Sequence, residues 1–217
     1  MISTQQRPRY NSVLMVRAKT QLNEIMINGT AIEALPRPLL VFLHSGAVVQ
    51  LASPTSPWVK LTKEADIDLA YCSTAWQRRR SGEPASGVQR SSLLQFWAHQ
   101  LDCWSASAGS SIEPSSLLIR IGRGQDELGW QESLEVILAA ATLEIPMRVQ
   151  FEDAAWQSLL GVPDQRLAWQ QLLDYKLAGI EVLAFDADAD QAALGVHYVD
   201  PDATRSSVNQ AERKLDL

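Results

Sequence analysis

Pro38-Leu39-Leu40-Val41-Phe42-Leu43 is an apolar run led by a proline, and Pro146-Met147-Arg148-Val149-Gln150-Phe151 repeats its form further along the chain. A short apolar run bounded by a turn former reads as a strand, and an unbroken one as a strand buried on both faces. Working outward, each run is preceded by a helical stretch and a further strand. The first copy opens with Ser12-Val13-Leu14-Met15-Val16-Arg17 and continues from Lys19 to about Leu35. The second opens with Ser116-Leu117-Leu118-Ile119-Arg120-Ile121 and continues from Glu127 to Leu143, where Leu128, Leu134, Ile137, Leu138, Ala141 and Leu143 recur at helical spacing. After each run comes a loop that ends near a proline: Ala47-Val48-Val49-Gln50-Leu51 up to Pro54, and Ala155-Trp156-Gln157-Ser158-Leu159-Leu160 up to Pro163. A tryptophan on a helix follows, Trp58 or Trp169, and then a third strand, Leu69-Ala70-Tyr71-Cys72 or Leu183-Ala184-Phe185-Asp186. Aligned this way, Cys72 falls opposite Asp186.

The repeat recurs at about 110 residues, far longer than the ~20–50 of solenoids, and so predicts two tandem domains of one type. Strands alternating with amphipathic helices make βαβ units, a parallel sheet and helices on both faces. The expected fold is therefore α/β: two three-layer parallel-sheet domains, 1–111 and 112–217. The boundary lies in the small and turn-forming residues between Ser105 and Ser116. The insert from Arg80 to Ser92, with Gly82, Pro84 and Gly87, reads as a flexible lip, and the polar tail from Pro201 to Leu217 as partly disordered.

The 217 residues are 46% apolar and carry 19 basic against 25 acidic side chains, a net charge of -6. No long-range positive field draws in nucleic acid, so direct nucleic-acid binding is not expected. Two cysteines make no disulfide framework, and no CxxC or Cys/His cluster offers a metal cage. No cofactor is called for either. Met1 to Tyr10 lack the apolar core of a secretory signal, and no window has the length to cross a bilayer. The expectation is a cytoplasmic protein without a membrane partner.

The chemistry concentrates in Tyr71-Cys72-Ser73-Thr74-Ala75-Trp76-Gln77-Arg78-Arg79-Arg80. A thiol where a strand gives way to a helix meets free backbone N–H groups, and three arginines follow within two turns. Both effects favour thiolate and make Cys72 a candidate nucleophile or sulfur carrier; the alternative is a small buried hydrophobe. Ser73 and Thr74 are placed to hydrogen-bond the sulfur or to cap the helix. Arg78 and Arg79 read equally as partners of the sulfur or as a solvated helix end. His44, directly after a strand, is a candidate acid/base or persulfide contact, or a satisfied edge histidine. Cys103, on an expected late strand without basic neighbours, reads as structural. His99 and His197 suggest neither a metal nor a Ser/His/Asp triad. Gly122-Arg123-Gly124 lacks the GxGxxG and Walker spacings and reads as a βα turn, which argues against a nucleotide site. The acidic run Asp186 to Asp190 would repel a persulfide anion, so the second copy is not expected to carry sulfur. Trp97 and Trp104, near the boundary, suggest either assembly surface or core.

A resemblance adds to these readings. Trp130 to Ala141, followed by Val149-Gln150-Phe151-Glu152-Asp153-Ala154-Ala155-Trp156-Gln157-Ser158-Leu159-Leu160, resembles the sulfur-relay subunit TusC, or DsrF, with Ala154-Ala155-Trp156 where that family prefers Asp-Gly-Val. Leu69 to Arg79 is similar to TusD, or DsrE, in which a persulfide-carrying cysteine sits in a strand-end motif of this kind. The resemblance implies a DsrE (flavodoxin-like) fold, a TusD-like half fused to a TusC-like half, and a hetero- or homo-oligomer with a TusB- or DsrH-like subunit. It implies a sulfurtransferase subunit in which Cys72 takes sulfur from a TusA-like donor and passes it to a TusE- or DsrC-like acceptor. The end use would be tRNA 2-thiouridine formation or sulfur oxidation; a non-catalytic scaffold subunit is the alternative.

Overall fold

The computed structural model describes residues 10–17, 32, 35–61, 63, 66–80, 82–107, 117–122, 126–174, 177, 179–183, 197–199 and 213–217. The chain divides into two compact units, Met1–Ser111 and Ile112–Leu217. The helix expected from Lys19 lies largely outside the described residues.

In the first unit, β1 (Ser12–Val16), β2 (Leu39–Leu43), β3 (Ile67–Cys72) and β4 (Gln89–Ser91) form a sheet in the order β1-β2-β3-β4, every pair parallel. All five residues of β2 are buried, so both faces of the sheet are covered. This is why the run carries no polar alternation. Between the strands lie a 3-10 helix (Ser45–Ala52), α1 (Pro57–Leu61), α2 (Ser73–Arg79) and α3 (Leu93–Ser107). A capping box starts α3: Gln95 N donates to Ser92 Oγ at 3.2 Å while Ser92 N donates to Gln95 Oε1 at 3.0 Å. The helix packs on β1, and its Phe96 meets Phe42 of β2 with ring centroids 5.2 Å apart.

The second unit contains β5 (Leu117–Ile121), α4 (Glu127–Thr142), β6 (Met147–Glu152), α5 (Asp153–Leu160), α6 (Pro163–Asp174), β7 (Gly179–Leu183), β8 (His197–Val199) and β9 (Arg213–Asp216). The strand order is β8-β7-β6-β5-β9, again all parallel. Asp126 caps α4 by accepting from Gly129 N at 2.6 Å. The helix ends at a left-handed Glu144, φ 55°, two residues before Pro146. Trp130, Phe151, Trp156 and Trp169 form the aromatic core between helices and sheet.

Several expectations are corrected. The two proline-ended loops are helical, the first as the 3-10 helix and the second as α5. Buried Val48 and Leu51, and buried Ala155, Trp156 and Leu159, fall at the spacing that puts side chains on one helical face. The insert Arg80 to Ser92 is anchored: Gln89–Ser91 joins the sheet, Trp76 Nε1 donates to Gly82 O at 3.0 Å, and Ala85 N donates to Leu51 O at 2.9 Å. The end of the tail supplies β9, whose Leu215 pairs with Ile119 and is half-buried; residues 201–212 lie outside the described residues. Cys103 lies on α3, because Phe96, Trp97 and Cys103 recur on one buried helical face. Trp97 belongs to that core.

Candidate functional site

In a parallel sheet every strand delivers its carboxyl end to one edge, where the following loops gather. In the first unit that edge is level. Val16, Leu43 and Tyr71 pair in one row across β1, β2 and β3. The next residue on each strand is Arg17, His44 and Cys72, so these three form the row at the rim. Adjacent strands lie about 4.8 Å apart, and residues in one row point to the same face. His44 stays extended (φ -134°, ψ 167°), and its ring stacks on Phe42 two residues back, at 6.4 Å between centroids. It therefore shares the face that α3 covers.

The backbone fixes the row. His44 N donates to Val16 O at 2.8 Å, and Ala47 N donates to Arg17 O at 2.7 Å. Between them Ser45 adopts a left-handed conformation, φ 52°, which is costly for a residue with a Cβ. That kink turns the chain from β2 into the 3-10 helix and aims the Ser45 Oγ at α2, where it accepts from Arg79 Nη2 at 3.3 Å.

His44 is the anomaly of the site. It is 0% exposed, and neither Nδ1 nor Nε2 has a hydrogen-bond partner. Buried polar atoms are almost always paired, because an unmet one costs about 1–3 kcal/mol. Burial, and then the charges of Arg17, Arg79 and Arg78, push the imidazole well below its ordinary range, so the ring is neutral. Arg17 is itself 6% exposed and Ser45 8% exposed.

Cys72 is the last residue of β3 and the N-cap residue of α2, without a side-chain capping bond. The strand-to-helix junction read from the sequence is thus present. The thiol is reduced, and the residue is 2% exposed. Its neighbours divide. Ser73 occupies the first helical turn and lines a cleft of about 150 Å³ with Tyr71, Trp76, Gly82, Glu83 and Arg90; Cys72 is not part of that lining. Thr74 is exposed and Arg78 is exposed, while Arg79 is half-buried and turned to Ser45. The structure brings Cys72, His44 and Arg79 to one rim together with Arg17 and Ser45, and it leaves Thr74 in solvent.

Arg17 and Ser45 were not singled out from the sequence. Arg17 reads there as the last residue of an apolar strand, and nothing in the composition marks a serine for a left-handed turn.

Elsewhere, Cys103 is 6% exposed and its Sγ donates to Tyr10 O at 3.0 Å, with its pKa raised by burial and then by Asp102. It is a structural thiol. His99 packs edge-on against Tyr10 at 5.1 Å. In the second unit the row Ile121, Phe151, Val182 corresponds to Val16, Leu43, Tyr71. The residue opposite Cys72 is therefore Leu183, and the alignment with Asp186 is corrected by three positions. The run Asp186 to Asp190, like Arg123 and Gly124 of the βα turn, lies outside the described residues. Among the described residues no group of three or more His, Cys, Asp or Glu side chains is placed to hold a metal ion, and no helix is long and apolar enough to cross a membrane.

No family model, curated protein or solved structure matches the chain.

Proposed function

We propose that the chain is a sulfur-relay subunit that carries sulfane sulfur on Cys72. The observation that carries this reading is the rim row itself: a reduced thiol at the carboxyl end of β3, in the same row as His44, whose ring feels the charges of Arg17, Arg79 and Arg78. The step asks for little. The Cys72 thiolate attacks the outer sulfur of a donor persulfide, the donor S–S bond breaks, the donor thiolate leaves with the electron pair, and Cys72 holds the persulfide anion. A positive rim supports that anion. The similarity of Leu69 to Arg79 to the TusD strand-end motif points the same way, to a DsrE-type fold, a TusA-like donor, a TusE- or DsrC-like acceptor, and a TusB-like partner. Sulfur so carried would serve tRNA thiolation or sulfur oxidation. The second unit, with Leu183 opposite Cys72, serves as scaffold.

One observation favours the competing reading of a non-catalytic scaffold subunit: at 2% exposure, Cys72 meets a protein-borne donor only if the rim opens. Intact-protein mass spectrometry after incubation with a persulfide-loaded TusA-type carrier separates the two. A gain of one sulfur atom, reversed by reductant and absent in Cys72→Ser, is the expected result. No gain while the protein still binds its partners would make the chain a scaffold.

A further inference from the structure

The cleft beside α2 is open space that the rim row does not use. Tyr71 and Cys72 are consecutive on β3 and point to opposite faces of the sheet, so the cleft, which Tyr71 lines and Cys72 does not, lies across the strand from the thiol. Arg90 pairs with Tyr71 in register and joins that face from β4, while Glu83 lines the cleft from the segment between α2 and β4. Ser73 and Gln77 line it from α2. Trp76 forms a wall, its indole N–H donating to Gly82 O at 3.0 Å and its ring 5.9 Å from that of Tyr71.

Among the described residues Arg90 and Glu83 have no ion-pair partner, although both line the same small space. The side chain of Tyr71 is only 6% exposed, and among the described residues its hydroxyl has no hydrogen-bond partner. A buried phenol ordinarily finds one, so its O–H points to something that occupies the cleft it lines. The lining dictates what that is. A simple anion suits Arg90 and is repelled by Glu83, and a simple cation meets the reverse, so the ligand that satisfies both carries both charges. It is also small, because a cavity of about 150 Å³ holds one molecule of the size of benzene. A free α-amino acid has these properties, whereas a chain terminus carries only one of the two charges.

We propose that the cleft between Tyr71, Trp76, Glu83 and Arg90 binds a small zwitterionic α-amino acid. Its carboxylate accepts from the Arg90 guanidinium and the Tyr71 hydroxyl, and its ammonium donates to the Glu83 carboxylate. The site goes beyond the relay reading and does not use the Cys72 sulfur.

The test is a titration of the full-length protein with L-alanine at pH 7 and fixed ionic strength, followed by NMR through the indole N–H resonance of Trp76. Saturable shifts are expected, and equal ones in Cys72→Ser. N-acetyl-L-alanine lacks the ammonium and L-alaninamide lacks the carboxylate; neither should produce a saturable shift. Arg90→Gln and Glu83→Gln replace exposed side chains and leave the fold intact, and each is expected to weaken binding about tenfold through loss of a charge-assisted hydrogen bond. Tyr71→Phe, which removes only the hydroxyl, is expected to weaken it several-fold. Absence of a saturable shift with L-alanine, binding of either blocked analogue as tight as that of L-alanine, or native affinity in Arg90→Gln or Glu83→Gln would each overturn the proposal.

Discussion

His44 gives the protein a pH dependence whose sign follows from its surroundings. Burial, then Arg17, Arg79 and Arg78, hold the folded imidazole well below its ordinary range. As pH falls through about 6.5, the unfolded chain takes up a proton here that the folded chain refuses; the unfolded state binds more protons, and stability drops. Above that pH both states are neutral and His44 contributes no slope. The melting temperature should therefore decline between pH ~6.5 and ~5, above the range of ordinary carboxylates, and decline less steeply in His44→Leu. Equal slopes in the two proteins would place the proton uptake on another residue. At this scale the sequence was informative about strand ends and uninformative about turns. Cys72 and His44 could be found because each closes an apolar run. Arg17 could not be distinguished from the strand it follows, and the conformation of Ser45 depends on contacts that appear only once α2 and the 3-10 helix meet.

The helices show where periodicity succeeds and where it is outweighed. The apolar spacing of α4 predicted its extent almost to the residue, from Glu127 to Thr142, since sixteen residues give the pattern several turns in which to repeat. The eight residues of α5 and of the 3-10 helix span too few turns to separate a helix from an apolar loop. The end of α4 is also testable. Glu144 holds φ 55°, a conformation that costs a side chain about 1–2 kcal/mol and a glycine little. Glu144→Gly should stabilise the protein by up to about 1 kcal/mol, measured as a shift in denaturant midpoint at unchanged slope. An unchanged or lower midpoint would show that contacts of the Glu144 side chain offset the strain.

For the whole molecule, the shared row geometry puts different residues at the two rims. Cys72 and His44 in the first correspond to Leu183 and Glu152 in the second, across strands paired in the same register. The polar tail was expected to be partly disordered, and its last residues are a strand for a physical reason: Arg213-Lys214-Leu215-Asp216 is as polar as an edge strand should be, and edge strands are charged to discourage further pairing. A chain ending at residue 212 should leave one side of β5 unpaired and self-associate measurably by light scattering; a monodisperse shortened chain would show that β9 is dispensable.

The position of β9 also governs the order of events during synthesis. β1 to β4 have all been synthesised before α3 is complete, so the first sheet assembles from neighbours made early and in sequence. β5 must wait for its second neighbour until Arg213–Asp216 emerges, after every other strand of its unit has been made. Through that interval the backbone beside Leu117-Leu118-Ile119 is an open template, and on a polysome the nearest chain able to occupy it is another nascent copy.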